Sequence, residues 1–277
     1  MKDRLNEIAH VALDLDGTVY RGRTMFETSL PFLELLTRLG VGYTFLTNNP
    51  SKNTAEYLKH LAALGIRISA EQLYTSTQAT VEFLAEQRPR LRRLFILGTA
   101  GMAAEFAAAG YGLAEDDPAD EPDAVVVGFD LTLTHARLCR AAWWISRGKE
   151  YFATNPDRVC PTDEATVLVD CGSIVAALQA ATGVSPAAVM GKPDPGMIRG
   201  ILRRHGLEPG QLAMVGDRLS TDIAMARRSG ALGVLVLTGE ATAAQAAAAD
   251  PAPDLVVADL AELGARFQSR RGVKAPA

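Results

Sequence analysis

Cysteine is scarce in this chain: three among 277 residues, Cys139, Cys160 and Cys171, with no CxxC pair. A chain of this length can bury roughly three quarters of the surface that its unfolded form exposes, so it needs neither disulfides nor a structural metal to fold. An odd, sparse set of cysteines fits a reduced compartment, and a cytoplasmic protein with buried or half-buried thiols is expected. Long apolar runs are missing too; none approaches the ~18 residues of a membrane span. Residues Met1 to Glu7 are charged and lead into no signal-peptide core or small-residue cleavage site. Nor is there a surplus of basic charge: 28 Lys and Arg stand against 32 Asp and Glu, a formal net charge of −4. That balance speaks against a nucleic-acid polymer as partner. Several signatures are absent as well. There is no GxGxxG, no GxSxG and no HExxH, and Gly191-Lys192 is followed by Pro193 where a P-loop needs Ser or Thr.

What is present is an ordinary globular composition, 48% hydrophobic and 22% charged, in a chain longer than the common domain of ~100–150 residues. One large domain or two are expected. Short apolar runs alternate with helical patterns. Ile8–Leu13 reads as a strand, Leu30–Leu39 as a helix, Val41–Leu46 as a strand and Thr54–Leu64 as a helix. A middle block repeats the alternation. It has strands at Leu94–Leu97, Ala124–Val127 and Tyr151–Ala153, and helices at Met102–Ala109, Leu131–Arg147 and Ser173–Thr182. Glu115–Asp123 is an acidic loop. A last block begins near Val189. It has helices at Gly196–His205 and Ser220–Ser229, strands at Leu212–Val215, Gly233–Leu237 and Leu255–Val257, and an alanine-rich helix within Ala241–Ala249. The basic tail from Gln268 is expected to fray. This alternation predicts an α/β fold with a parallel sheet and helices on its faces.

Four places carry polar residues just past strands or on restrained loops. In Asp14-Leu15-Asp16-Gly17-Thr18, two carboxylates stand two residues apart and reach one site only if the chain turns, which Gly17 permits. Ligands of α/β sheets bind beyond the carboxyl ends of strands. Thr47-Asn48-Asn49 offers a hydroxyl and free N–H groups, an anion cradle; taken alone it reads better as a helix cap. Lys192 sits between Gly191 and Pro193, on backbone that can aim its ammonium. Asp217 follows the Leu212–Val215 strand, and Asp222 falls in the first turn of the next helix, where an anion is tolerated.

If these strand ends converge, Asp14, Asp16, Asp217 and Asp222 form a cluster of carboxylates. Each pair ~4 Å apart would repel by about 4 kcal/mol at an effective dielectric of 20. Such a cluster needs a cation, and oxygen ligands select a hard one, with Mg²⁺ the natural choice for phosphate chemistry. Once a phosphate dianion enters, the site is still net negative even with Lys192 and Mg²⁺, so one carboxylate is expected to hold a proton, as a general acid must.

The ordered set resembles the haloacid dehalogenase superfamily of phosphohydrolases over nearly the whole chain. The carriers are Asp14-Leu15-Asp16-Gly17-Thr18, Thr47, Lys192, and Gly216-Asp217-Arg218 with Thr221-Asp222. Within it the chain is similar to the NagD-like branch (subfamily IIA), through Leu46-Thr47-Asn48-Asn49, Val127-Gly128-Phe129-Asp130, Ala153-Thr154-Asn155-Pro156-Asp157 and Gly191-Lys192-Pro193-Asp194-Pro195. It departs at Asp170-Cys171-Gly172-Ser173, where that branch often carries a Pro-Gly turn.

The resemblance implies a Rossmann-like core of residues 1–80 and 188–277, with an inserted α/β C2-type cap at 81–187. It implies a Mg²⁺-dependent phosphatase of small phosphorylated metabolites. Asp14 would be the nucleophile and bind the metal. Asp16 would be the acid and then the base, its backbone carbonyl on the metal. Thr47, Asn48 and Asn49 would take phosphate or substrate, and Asn155 would sit near the junction of cap and core. Lys192 would neutralise Asp14 and the transferring group. Asp217 would complete the metal site, with Asp222 supporting it through a water or hydrogen bond. Pairing of two chains through the cap is suggested by the resemblance alone, and no membrane is implied. Dehalogenase or phosphonatase chemistry would not need Asp16. A non-enzymatic phospholigand-binding or regulatory protein on the same fold is the alternative. His10, His60, His135 and His205 are scattered and receive no role.

Overall fold

A computed structural model describes residues 4–22, 24–162 and 164–271. Met1–Asp3 and the end of the basic tail, 272–277, lie outside the described residues. The chain divides into two compact units. One takes residues up to Leu46, 62–74 and from Pro193 onward; the other takes 47–61 and 75–192.

The first unit is built on six strands in the order Leu255–Val257, Leu232–Val236, Leu212–Gly216, His10–Asp14, Gly42–Thr47 and Leu73–Thr75. The four pairings among the first five strands are parallel. Every residue of His10–Asp14, Leu212–Gly216 and Leu232–Val236 is buried. Continuous rather than alternating hydrophobicity is what a parallel strand covered on both faces requires. The first strand in the chain lies inside the sheet. The next strand pairs on one side of it, and the chain returns some 200 residues later to pair on the other. Strand order reverses at that place, where open α/β sheets bind their ligands. Helix Ser29–Arg38 buries Phe32, Leu33, Leu35 and Leu36, and Phe32 meets Phe267 of helix Leu260–Arg271 with ring centroids 6.3 Å apart. Gln268 thus continues a helix rather than opening a frayed tail.

The second unit has five parallel strands in the order Ala188–Val189, Glu150–Ala153, Ala124–Val127, Arg93–Leu97 and Gly112–Leu113. Side chains alternate between the faces of a strand, and the buried clusters divide accordingly. Phe95, Leu97, Val125, Val127 and Tyr151 pack with Trp144, Ile174 and Leu178 of helices His135–Ser146 and Cys171–Thr182. Leu94, Ile96, Ala124, Val126 and Phe152 pack with Leu84, Met102 and Phe106 of helices Ser76–Gln87 and Ala100–Ala108. Two helices therefore cover each face. Beyond this sheet, Val159–Cys160 and Leu168–Val169 form a small antiparallel hairpin. Among the described residues no helix is long and apolar enough to cross a membrane.

Several elements differ from expectation. Helix Ser76–Gln87 had no counterpart in the sequence pattern; it opens on a capping box between Thr75 and Gln78. The helix expected from Leu131 begins at His135, because Asp130 Oδ1 takes the Thr132 N–H and hydroxyl into a turn and Thr134 then caps the helix. The helix expected from Ser220 opens instead with a π-type turn, Leu219–Ile223.

His10, on the central strand, is buried against His205 with ring centroids 4.3 Å apart, and shares a hydrogen bond with Thr44 Oγ1 at 2.8 Å. Burial, and then the neighbouring His205, push its imidazole down to about 4. Between pH 6.5 and 4 the unfolded chain therefore binds a proton at His10 that the folded chain does not, so stability rises with pH through this window. Acidification from pH 6.5 to 4 should cost up to about 3 kcal/mol at this group. Urea denaturation of wild type and His10→Gln at both ends of the window should show a smaller acid loss in the variant; equal losses would place the proton elsewhere.

Candidate active site

Asp14 is the last residue of the central strand, and Asp217 follows immediately on the neighbouring strand Leu212–Gly216. Leu13 pairs with Val215, so the two strand ends are level. Asp222 comes from the π-type turn, in which the Asp222 and Ile223 N–H groups both donate to the Arg218 carbonyl, at 3.1 and 3.2 Å. A widened turn of this kind re-aims side chains and is frequent at functional sites. Asp222 Oδ2 accepts the Arg218 N–H at 3.0 Å. Gly216 leaves room for that carboxyl group, since a Cβ there would overlap it.

All three aspartates are buried, and one oxygen from each lies within 4.8 Å of the other two. Carboxylates so placed repel one another, by about 4 kcal/mol for each ~4 Å pair at an effective dielectric of 20. A divalent cation offsets that repulsion. The donor set is oxygen only, with neither His nor Cys, which suits Mg²⁺ or Ca²⁺ better than a softer ion. Asp14, Asp217 and Asp222 are the residues that would hold it.

Asp16 is half-buried, and its carboxyl group is not among these three. It lies in the turn after Asp14, where Gly17 has φ +84° and its N–H donates to the Tyr20 carbonyl at 2.7 Å. The turn anticipated at Gly17 is present.

In the second unit Asn48 is the centre of a network. Its Oδ1 accepts the Lys192 N–H at 2.6 Å and its Nδ2 donates to the Lys192 carbonyl at 3.0 Å, so one amide grips both backbone groups of Lys192. Nδ2 also donates to Asp157 Oδ2 at 2.9 Å. The Asn48 carbonyl accepts Ser76 Oγ at 2.6 Å and Asn155 Nδ2 at 3.0 Å. Asn155 Oδ1 in turn accepts the Asp157 N–H at 3.0 Å, so Asn155 both makes a turn and anchors Asn48. Thr47 ends its strand and accepts the Asn49 N–H at 3.1 Å. Asn49 donates onward to Cys160 Sγ at 3.7 Å, and its carbonyl accepts Tyr57 OH at 2.7 Å. Thr47, Asn48, Asn155 and Lys192 are all buried. Ser76, which anchors Asn48, escaped the sequence reading; a lone serine outside any motif carries no signal.

A cavity of about 660 Å³ opens within the same unit, walled in part by Asn155, Arg158, Gly172, Ser173 and Gln179. Its wall includes part of the segment Asp170–Ser173 at which the family pattern breaks. Cys171 in that segment is fully buried, donates to the Val127 carbonyl at 3.3 Å, and is pushed up to about 12 by burial, so its thiol is inert.

Two family models match the chain: haloacid dehalogenase-like hydrolase over residues 11–112, and HAD-hydrolase-like over residues 189–263. A D-glycerol 3-phosphate phosphatase of Mycobacterium tuberculosis is 36% identical over 251 residues, covering 91% of this chain and 69% of its own. The structure of a glycerol phosphate phosphatase from the same organism in complex with magnesium has a TM-score of 0.86 at 36% identity, covering 95% of this chain and 79% of the other. A 4-nitrophenylphosphatase from Thermotoga maritima reaches a TM-score of 0.89 at 37% identity, covering 96% and 99%. NagD from Escherichia coli K-12 gives 0.82 at 27% identity, covering 92% and 98%. The chain belongs to the haloacid dehalogenase superfamily, in its NagD-like branch, and is a phosphoric monoester hydrolase.

Proposed function

We propose that the chain is a Mg²⁺-dependent phosphatase of small phosphorylated metabolites, acting through an aspartyl-phosphate at Asp14. The observation that carries this reading is the buried group of Asp14, Asp217 and Asp222 at the point where strand order reverses. The donor chemistry favours Mg²⁺, and a relative's structure holds that ion. Residues 1–80 and 188–277 form the catalytic core in this reading, and 81–187 the C2-type cap that selects substrates. Glycerol-type phosphates are the first candidates, supported by the relative named for glycerol phosphate, and sugar phosphates follow them. Nucleoside monophosphates and pyridoxal phosphate belong in the same panel.

An Asp14 oxygen attacks phosphorus in line with the departing alkoxide. Asp16 gives that alkoxide its proton. The resulting Asp16 carboxylate then takes a proton from water as the water attacks the aspartyl-phosphate, and Asp14 is restored with release of inorganic phosphate. Thr47 and the Asn48 N–H hold phosphate oxygens, and Lys192 balances charge on the transferring group. Asn49 and Asn155 serve substrate binding. The cation supplies further charge neutralisation when bound. Splitting hydrolysis into two displacements lets a carboxylate do the first and water the second.

Two outcomes are expected. Turnover of p-nitrophenyl phosphate should vanish in EDTA and return on adding Mg²⁺; full activity in metal-free buffer would refute the metal site. Asp14→Asn should lower kcat by at least about a thousandfold with the circular dichroism spectrum unchanged. A near-normal kcat in that variant would remove Asp14 as the nucleophile.

A further inference from the structure

After strand Leu232–Val236 the chain makes a turn, Thr238–Ala241, that belongs to none of the motifs above. It touches both acidic loops of the first unit. Thr238 Oγ1 donates to the Gly17 carbonyl at 2.6 Å, and the Thr238 carbonyl accepts Arg21 Nη2 at 2.6 Å. Two residues on, the Glu240 N–H donates to Asp217 Oδ2 at 2.7 Å, and the Ala241 N–H to the Asp217 carbonyl at 3.1 Å. An ion pair between Arg218 and Glu240, 2.9 Å apart, closes the turn from outside. The approach is close enough that a Cβ on either Gly17 or Gly239 would overlap the Asp217 carboxyl group.

Gly17 is therefore held at both polar atoms: its N–H by the Tyr20 carbonyl and its carbonyl by the Thr238 hydroxyl. It is also the residue next to Asp16, at positive φ and with no side chain to restrain it. Without those two bonds it has the widest choice of backbone conformations in the acidic loop. Proton transfer requires the acid within about 2.6–3.2 Å of its partner, and a ~1 Å displacement can cost on the order of a hundredfold.

We propose that Thr238 is a positioning residue for Asp16, its hydroxyl fixing the Gly17 peptide so that the acid meets the leaving-group oxygen. The proposal rests on the role assigned to Asp16 above. Thr238 acts through Gly17. Its β-branched side chain has few rotamers, so its hydroxyl is aimed at little entropic cost. The Arg21 guanidinium restrains the same residue from its carbonyl side.

The test is the dependence of kcat/KM on leaving-group basicity, measured on phosphomonoesters from p-nitrophenyl phosphate to glycerol phosphate. A nitrophenolate departs with little help, whereas an alkoxide needs its proton. Thr238→Val, which removes the hydroxyl and keeps the shape, should lose about tenfold on glycerol phosphate and less than about twofold on p-nitrophenyl phosphate. Thr238→Ser should restore both. Asp16→Asn should tilt the same plot further. An equal loss across the series in Thr238→Val, or failure of serine to rescue, overturns the proposal even if Asp16→Asn tilts the plot. A flat plot for Asp16→Asn removes the acid role itself, and the proposal with it. Thr238→Ala leaves the Glu240 and Ala241 backbone bonds in place and gives the same comparison if the valine variant does not fold.

Discussion

Three buried carboxyl groups at the ends of neighbouring strands, with one oxygen of each within 4.8 Å of the others, are a standing source of repulsion, and much of the first unit is arranged to keep them there. The parallel register brings Asp14 and Asp217 to level strand ends. The π-type turn carries Asp222 back toward them, and Gly216 has no Cβ to overlap its carboxyl group. Backbone N–H groups of Arg218 and Glu240 then bind one oxygen each of Asp222 and Asp217. Backbone donors bring no full charge of their own, so the carboxylates are oriented without being neutralised. Repulsion of this kind is tolerated because the paired strands and the backbone hydrogen bonds fix the three positions.

The second unit solves a different problem. There the group to be placed is a cation, Lys192, and the placing is done by a neutral amide. Asn48 binds the N–H and carbonyl of Lys192 together, and its own carbonyl is held by Ser76 and Asn155. Nearly every polar atom of Asn48 is engaged. A leucine there would leave the Lys192 backbone groups unpaired, and an aspartate would repel the Lys192 carbonyl. The residue type follows from the need for one donor and one acceptor on a single planar group.

Elements with a strong local signal were legible in the sequence. Ala124–Val127, Gly196–His205 and Leu255–Val257 have the bounds that their apolar patterns suggest. Helix Ser76–Gln87 was not legible, because its faces divide between buried threonines and half-buried apolar residues and show no clean stripe. Helix Leu260–Arg271 was hidden by its charge, though Leu260, Leu263 and Phe267 face the core. In the candidate site, Asp14 and Asp217 could be singled out because acidic residues at the ends of apolar strands are conspicuous, and Asp222 because it falls in the first turn of the helix that follows. The contributions of Ser76, Thr238 and the Glu240 backbone could not. They depend on contacts between residues far apart in the chain, and a hydroxyl or a peptide N–H has no sequence signature of its own.

The grip of Asn48 on Lys192 joins positions 144 residues apart. Much of what lies between them, the five-stranded sheet and its helices, is in effect a long loop that this amide helps to close. Closure of a long loop costs only slowly more as the loop grows. Segments inside it can therefore lengthen, shrink or exchange sequence during evolution while the spacing of the two gripped residues stays constant. A fold constructed in this way can vary that segment without rebuilding the point that holds Lys192.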